Sequence, residues 1–209
     1  MINKKLKIIV FVIFVLFNFA CSQSNKNEEV KKLIESANSK SELFDYNGAI
    51  LDLTKAIELD PKNADAYSWR GCYKDMLDDH RGAIQDYSKA IELNPKDAEA
   101  YRDRGESKYN LEDYQAAILD LTKAIELNPE YMGFNYAIGQ SKRNLEDYQG
   151  AIRAFSKVIK LKPKNADVYY WRGICKLAIK DKNGGCLDLS KAGELGLQKA
   201  SEAKKKYCQ

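Results

Sequence analysis

Residues 64–97 read ADAYSWRGCYKDMLDDHRGAIQDYSKAIELNPKD, and residues 98–131 read AEAYRDRGESKYNLEDYQAAILDLTKAIELNPEY. Set one under the other, they share Tyr67 with Tyr101, Gly71 with Gly105, Ala83 with Ala117 and a common AIELNP ending. Outward from this pair the glycines continue at Gly139 and Gly173, each 34 residues on. Ala49, Ala83, Ala117, Ala151 and Gly185 keep the same period, as do Pro61, Pro95, Pro129 and Pro163, which are all four prolines of the chain. Three independent series on one period mark a repeat architecture. Within a unit, Tyr67, Gly71 and Leu77 fall at helical spacing. A polar corner follows, and Ala83, Ile84, Tyr87, Ala90 and Ile91 resume that spacing, so each unit predicts two antiparallel helices, A and B. Asp45, Asp79, Asp113, Asp147 and Asp181 recur at the corner, where a short carboxylate caps the open amides of helix B. The Gly of helix A is expected to face the Ala of helix B, letting the two backbones approach, and the proline stops helix B. One hairpin cannot bury both of its apolar faces, so each needs the next.

In its early aromatic, the Gly four residues on, the helix B Ala and the closing Pro, this pattern resembles the tetratricopeptide repeat (TPR) family. The resemblance implies an all-α fold, a right-handed superhelical stack of five hairpins at 30–63, 64–97, 98–131, 132–165 and 166–199. In the last unit KAGELGLQ (191–198) replaces KAIELNP, so the array is expected to end there under a capping helix within 198–209. In proteins of this resemblance the A helices line a concave groove. The positions implied here are Ser68, Met76, Arg102, Glu106, Tyr109, Tyr136, Gln140, Arg143, Tyr170 and Ile174, with Cys72 and Asp75 beside them. The clamp by which some chaperone-binding relatives hold a terminal carboxylate is not matched: its places carry Ile34, Asn38, Trp69, Glu99 and Asp103, and only Asn38 fits.

The internal copies also compare with one another. The residue before the glycine is Arg70, Arg104, Ile138 and Arg172, and the residue three after the helix B alanine is Asp86, Asp120, Ala154 and Asp188. Where the arginine is lost the aspartate is lost too. Since a singly buried charge is costly, the series predicts structural ion pairs Arg70–Asp86, Arg104–Asp120 and Arg172–Asp188. Cys186 with Cys208 is the favoured disulfide, stapling the end that frays most easily; Cys175 with Cys186, or no bridge, are the alternatives. No CxxC occurs, and the one histidine, His80, stands where other units carry Tyr46, Tyr114 and Tyr148, so it reads as a packing substitution. Neither a metal site nor a cofactor is expected, and an enzyme is the weakest class because no nucleophile, base and orienting residue can be assembled.

At the N-terminus, Lys4, Lys5 and Lys7 precede an apolar run from Ile8 to Phe17, then Asn18, Phe19, Ala20 and Cys21. This order reads as a secretory signal over 1–21, too short for a comfortable membrane span, and Ala20-Cys21 resembles a lipobox that would make Cys21 a lipidated N-terminus. Residues 22–29 are expected to be a flexible tether. Those three lysines supply three of the four excess positive charges, so the remainder has no basic footprint for nucleic acid. The sequence therefore predicts a non-catalytic scaffold held to the bacterial cell envelope by a lipid anchor. Ser22 after the cysteine favours the outer membrane, and the partner is a peptide segment of another protein. The alternative is a carbohydrate-binding or envelope-structural protein using tyrosines as stacking platforms.

Overall fold

The computed structural model describes residues 25–208; the signal segment and Cys21 lie outside the described residues. All regular structure among the described residues is helical. The chain divides after Asn94 into two compact units. The first holds α1 (25–42), α2 (Tyr46–Leu59), α3 (Ala64–Asp75) and α4 (His80–Leu93). In the second come α5 (Ala98–Asn110), α6 (Tyr114–Leu127), a 3-10 segment (Pro129–Phe134), α7 (Asn135–Asn144), α8 (Tyr148–Leu161), α9 (Ala166–Ala178), α10 (Lys182–Glu194) and the capping helix α11 (Gln198–Tyr207). Five A/B hairpins result, the fifth closed by α11.

Each B helix opens on the recurrent aspartate, whose carboxylate accepts from the amide three residues on: Asp45 from Gly48, Asp79 from Gly82, Asp113 from Ala116, Asp147 from Gly150, Asp181 from Gly184. A cap of this kind contributes about 1 kcal/mol. The A helices use Asn63, Asp97 and Asn165 in the same way. In the fourth hairpin that place holds Tyr131, which cannot cap, and the chain enters by the 3-10 segment into a shortened α7 whose N-cap, Phe134, makes no side-chain bond. Before each B-helix cap one residue takes a left-handed backbone: Phe44, Asp78, Glu112, Glu146 and Lys180, with φ of 61° to 66°.

One expectation needs correction. Residues 25–29, assigned to the tether, are the first turns of α1, supported by the exposed Glu28–Lys32 pair at 2.9 Å across one helical turn. In the second, third and fourth hairpins the repeated glycine also makes room for a large side chain of helix B. A Cβ at Gly71, Gly105 or Gly139 would lie 2.6–2.9 Å from Tyr87, Leu121 or Phe155, the bulky residue four places further along helix B. In the fifth hairpin the nearest atom is backbone: a Cβ on Gly173 would come within 3.1 Å of the Gly185 carbonyl oxygen.

Arg70 forks onto Asp86 with 2.9 and 2.6 Å contacts, Arg104 onto Asp120 at 2.8 and 2.8 Å, and Arg172 onto Asp188 at 2.8 and 2.7 Å. Each aspartate also takes a lysine from its own A helix: Lys74 (2.7 Å), Lys108 (2.7 Å) and Lys176 (2.8 Å). The remaining arginine nitrogen reaches back to the preceding B helix, Arg70 to Thr54 Oγ1 at 3.1 Å and Arg172 to Ser156 Oγ at 3.0 Å. The cluster therefore ties hairpin to hairpin as well as helix to helix. In the first hairpin Ser36 replaces the arginine, and Asp52 accepts from Ser36 (2.6 Å) and Lys40. Burial alone would raise the Asp52 carboxyl, but the bonds from Lys40 and Ser36 outweigh it and hold the pKa below the ordinary carboxylate value.

Candidate functional site

Of the ten groove positions, Ser68 and Met76 belong to the first unit: Met76 ends α3 and is exposed, while the Ser68 hydroxyl is buried without a partner. The other eight lie in the second unit, and the structure brings part of them together around α7. Gln140 donates from Nε2 to the Tyr136 hydroxyl at 2.9 Å, one turn earlier on the same helix. Gln140 is only 6% exposed, and its Oε1 has no hydrogen-bond partner in the protein. One turn further on, Arg143 lays its guanidinium 4.1 Å from the ring centre of Trp171 on α9, donates from Nη2 to Asn144 (2.8 Å), and keeps a buried Nε that likewise has no partner. Tyr109 of α5 faces the same cluster. Burial first, then Tyr114 and Tyr136, push its hydroxyl pKa up, against the opposing field of Arg143. A buried acceptor and a buried donor left open within an aromatic frame are each costly unless something else completes them.

Arg102 is engaged differently. It binds Asp103 at 2.6 Å and lies over Tyr131, whose hydroxyl donates to Glu99 at 3.1 Å. The Arg102 guanidinium loses charge stability to burial but regains more from Asp103, so its pKa is raised. Glu106 projects from α5 and is exposed.

Tyr170 and Ile174 are half-buried, and Ile174 lines an open recess with Leu177, Ala178 and Tyr207. Both pack into the apolar cluster that α11 closes with Ala200 and Ala203, because the last hairpin has no following repeat to cover this face. Lys199 of α11 sits 4.8 Å over the Tyr170 ring and 5.4 Å over Trp171, and is held by Asp167 at 2.8 Å. Lys199 had no signal in the repeat, since it lies in the cap. Trp171 did have one: the two tryptophans of the chain, Trp69 and Trp171, stand at one repeat phase.

Cys186 and Cys208 are bridged, with Cα atoms 5.8 Å apart, fastening the end of α11 to α10. Cys175 is buried and in no bridge, and burial pushes its thiol up to about 11 despite Arg143. His80 Nδ1 lies 2.9 Å from Asp75, which also accepts from the Tyr87 hydroxyl at 3.2 Å. Among the described residues no group of three or more His, Cys, Asp or Glu is placed to hold a metal ion, and no helix is long and apolar enough to cross a membrane.

TPR sequence profiles match residues 45–74, 78–112 and 139–175, and a second matches 98–131; together they span more than half of the chain. No curated protein sequence matches. Among solved structures, that of MamA is 26% identical with a TM-score of 0.77, covering 84% of this chain and 96% of its own. YrrB, a TPR protein with an unusual peptide-binding site, is 24% identical with a TM-score of 0.79, over 90% of this chain and 97% of its own. MamA from Desulfovibrio magneticus RS-1 is 17% identical with a TM-score of 0.74, over 80% and 94%. The last two speak for the fold alone.

Proposed function

Because the chain belongs to the tetratricopeptide repeat family, we propose that it is a protein-interaction scaffold whose second unit holds an extended segment of another protein against α5, α7 and α9. One observation carries this reading: Gln140 Oε1 and Arg143 Nε are a buried acceptor and a buried donor one turn apart on α7, without partners, framed by Tyr109, Tyr136 and Trp171. The amide N–H and the carbonyl of an extended peptide offer one donor and one acceptor to match, and flat aromatic walls with an arginine are the residue types that dominate binding energy at interfaces. The role is non-catalytic in this proposal, and the protein is held at the bacterial envelope, the outer membrane foremost, by a lipid on Cys21.

Photocrosslinking from position 109 in intact cells, read by mass spectrometry, tests the groove. A partner captured by the parent chain should fall by about tenfold when Gln140→Leu and Arg143→Met are combined. Undiminished capture contradicts the groove assignment. Palmitate labelling tests the anchor on its own: it should vanish in Cys21→Ala, and labelling that persists would contradict it.

A further inference from the structure

The fourth hairpin lacks the cluster that fastens its neighbours. Three cluster positions change there at once: Asn135 stands for the tyrosine, Ile138 for the arginine and Ala154 for the aspartate. In the second, third and fifth hairpins, Tyr67, Tyr101 and Tyr169 lie 5.5–5.6 Å beneath the arginine. With arginine and aspartate gone, a cavity of about 360 Å³ opens between α6, α7 and α8. Ile125, Ile138 and Ala154 line it as apolar surface.

The rest of the cluster remains in place around this cavity. Thr122 occupies the place of Thr54 and Ser156, the hydroxyls that receive the arginine elsewhere. Lys142 occupies the place of Lys74, Lys108 and Lys176, which bind the missing carboxylate in the other hairpins. Deprived of that carboxylate, Lys142 turns to the α8 cap Asp147 at 3.2 Å. Arg153 and Lys157 of α8 add two more cations to the lining, and the field of Arg153 reaches Asp147, helping to hold its carboxyl below the ordinary value. Opposing them is Glu126, which Lys123 engages at 3.2 Å.

We propose that this cavity is a second docking site, separate from the groove, which receives an acidic side chain and an adjoining aliphatic side chain from a partner protein. The carboxylate stands where Asp86, Asp120 and Asp188 stand in their own hairpins and draws Lys142 back from Asp147, while the aliphatic side chain covers Ile125 and Ile138. Charge complementarity selects the occupant: three cations against one anion line a space from which the chain's own carboxylate has been deleted. The volume and apolar lining suit a pair of side chains better than a bare inorganic anion.

The other hairpins supply the test, because Ile138→Arg with Ala154→Asp refills the cavity using the pair that the fold accepts elsewhere. A fluorescent peptide of alternating leucine and glutamate is titrated against the full chain, with its glutamine isostere as control. The glutamate peptide should bind at least about tenfold more tightly than the glutamine one, and the double variant should lose about tenfold or more. Lys142→Gln should weaken the glutamate peptide alone, which keeps the test open if the double variant folds poorly. Equal binding of both peptides, full binding to the double variant, or no binding of the glutamate peptide at millimolar concentration would each overturn the proposal.

Discussion

The third and fourth hairpins are neighbours in one compact unit, built on one repeat, yet they are held together by different means. In the third, Arg104, Lys108 and Asp120 form a buried charge cluster, with Asp120 only 5% exposed. In the fourth, Ile138 and Ala154 join Leu121 in an apolar cluster, and Lys142 is left to bind at the rim. The difference teaches that arginine and aspartate are coupled: the aspartate outlasts the arginine only in the first hairpin, where Ser36 and Lys40 hold Asp52, and in the fourth both are gone. Keeping a charge with nothing to answer it would strand an ion in low dielectric, whereas replacing both by apolar groups is tolerated. The fourth hairpin has taken the second course, and the cavity is its consequence.

The comparison breaks most forcefully through one partner. Arg104→Met leaves Asp120 buried with Lys108 alone and should destabilise the second unit by about 3 kcal/mol, measured by urea unfolding. Arg104→Ile with Asp120→Ala imitates the fourth hairpin and should cost about 1 kcal/mol, far less than the single change. Additivity between the two positions would contradict the coupling.

Acid acts on the version of the cluster in the first hairpin. Asp52 is held below its ordinary value of 3.8, so it binds fewer protons folded than unfolded. Its contribution is fully present above the unfolded pKa and is lost as pH falls through the lower, folded one. Asp52→Asn should therefore remove part of the fall in the urea midpoint below about pH 4, and should leave the remaining pH profile unchanged.

The smallest effect is shared by hairpins with and without the charge cluster. The corner residue takes a left-handed backbone in every one, and only glycine does so without steric cost. Glu112→Gly and Glu146→Gly should each be neutral or stabilising by up to about 1 kcal/mol, and alike, since the corner is independent of the cluster.

How far such contrasts can be read before a structure exists depends on what the period exposes. The Arg–Asp pairing is legible because the loss at Ile138 is matched by the loss at Ala154. The B-helix caps are legible because one aspartate recurs at every corner. The lysine of the cluster recurs just as faithfully, at Lys40, Lys74, Lys108, Lys142 and Lys176, but surface lysines are so common in this chain that periodicity alone does not single it out. The 3-10 entry to α7 falls where the cap is missing at Tyr131 and where residues 131–135, YMGFN, depart at every position from the NADAY, DAEAY and NADVY of the other units. At the groove, Tyr136, Gln140 and Arg143 were accessible from helical phase. The partial covering of Tyr170 and Ile174 depends on how α11 docks, and α11 lies beyond the repeat.

The central claim is that Arg, Asp, Lys and a hydroxyl form one interchangeable cluster, of which the fourth hairpin keeps the outer half. Urea unfolding of Ile138→Arg with Ala154→Asp tests this most directly, because Lys142 and Thr122 already stand in place to receive the new pair. An unfolding midpoint equal to or above that of the parent, with the same slope, is the predicted result. A loss of about 3 kcal/mol, as expected of buried charges that fail to find one another, would contradict the account.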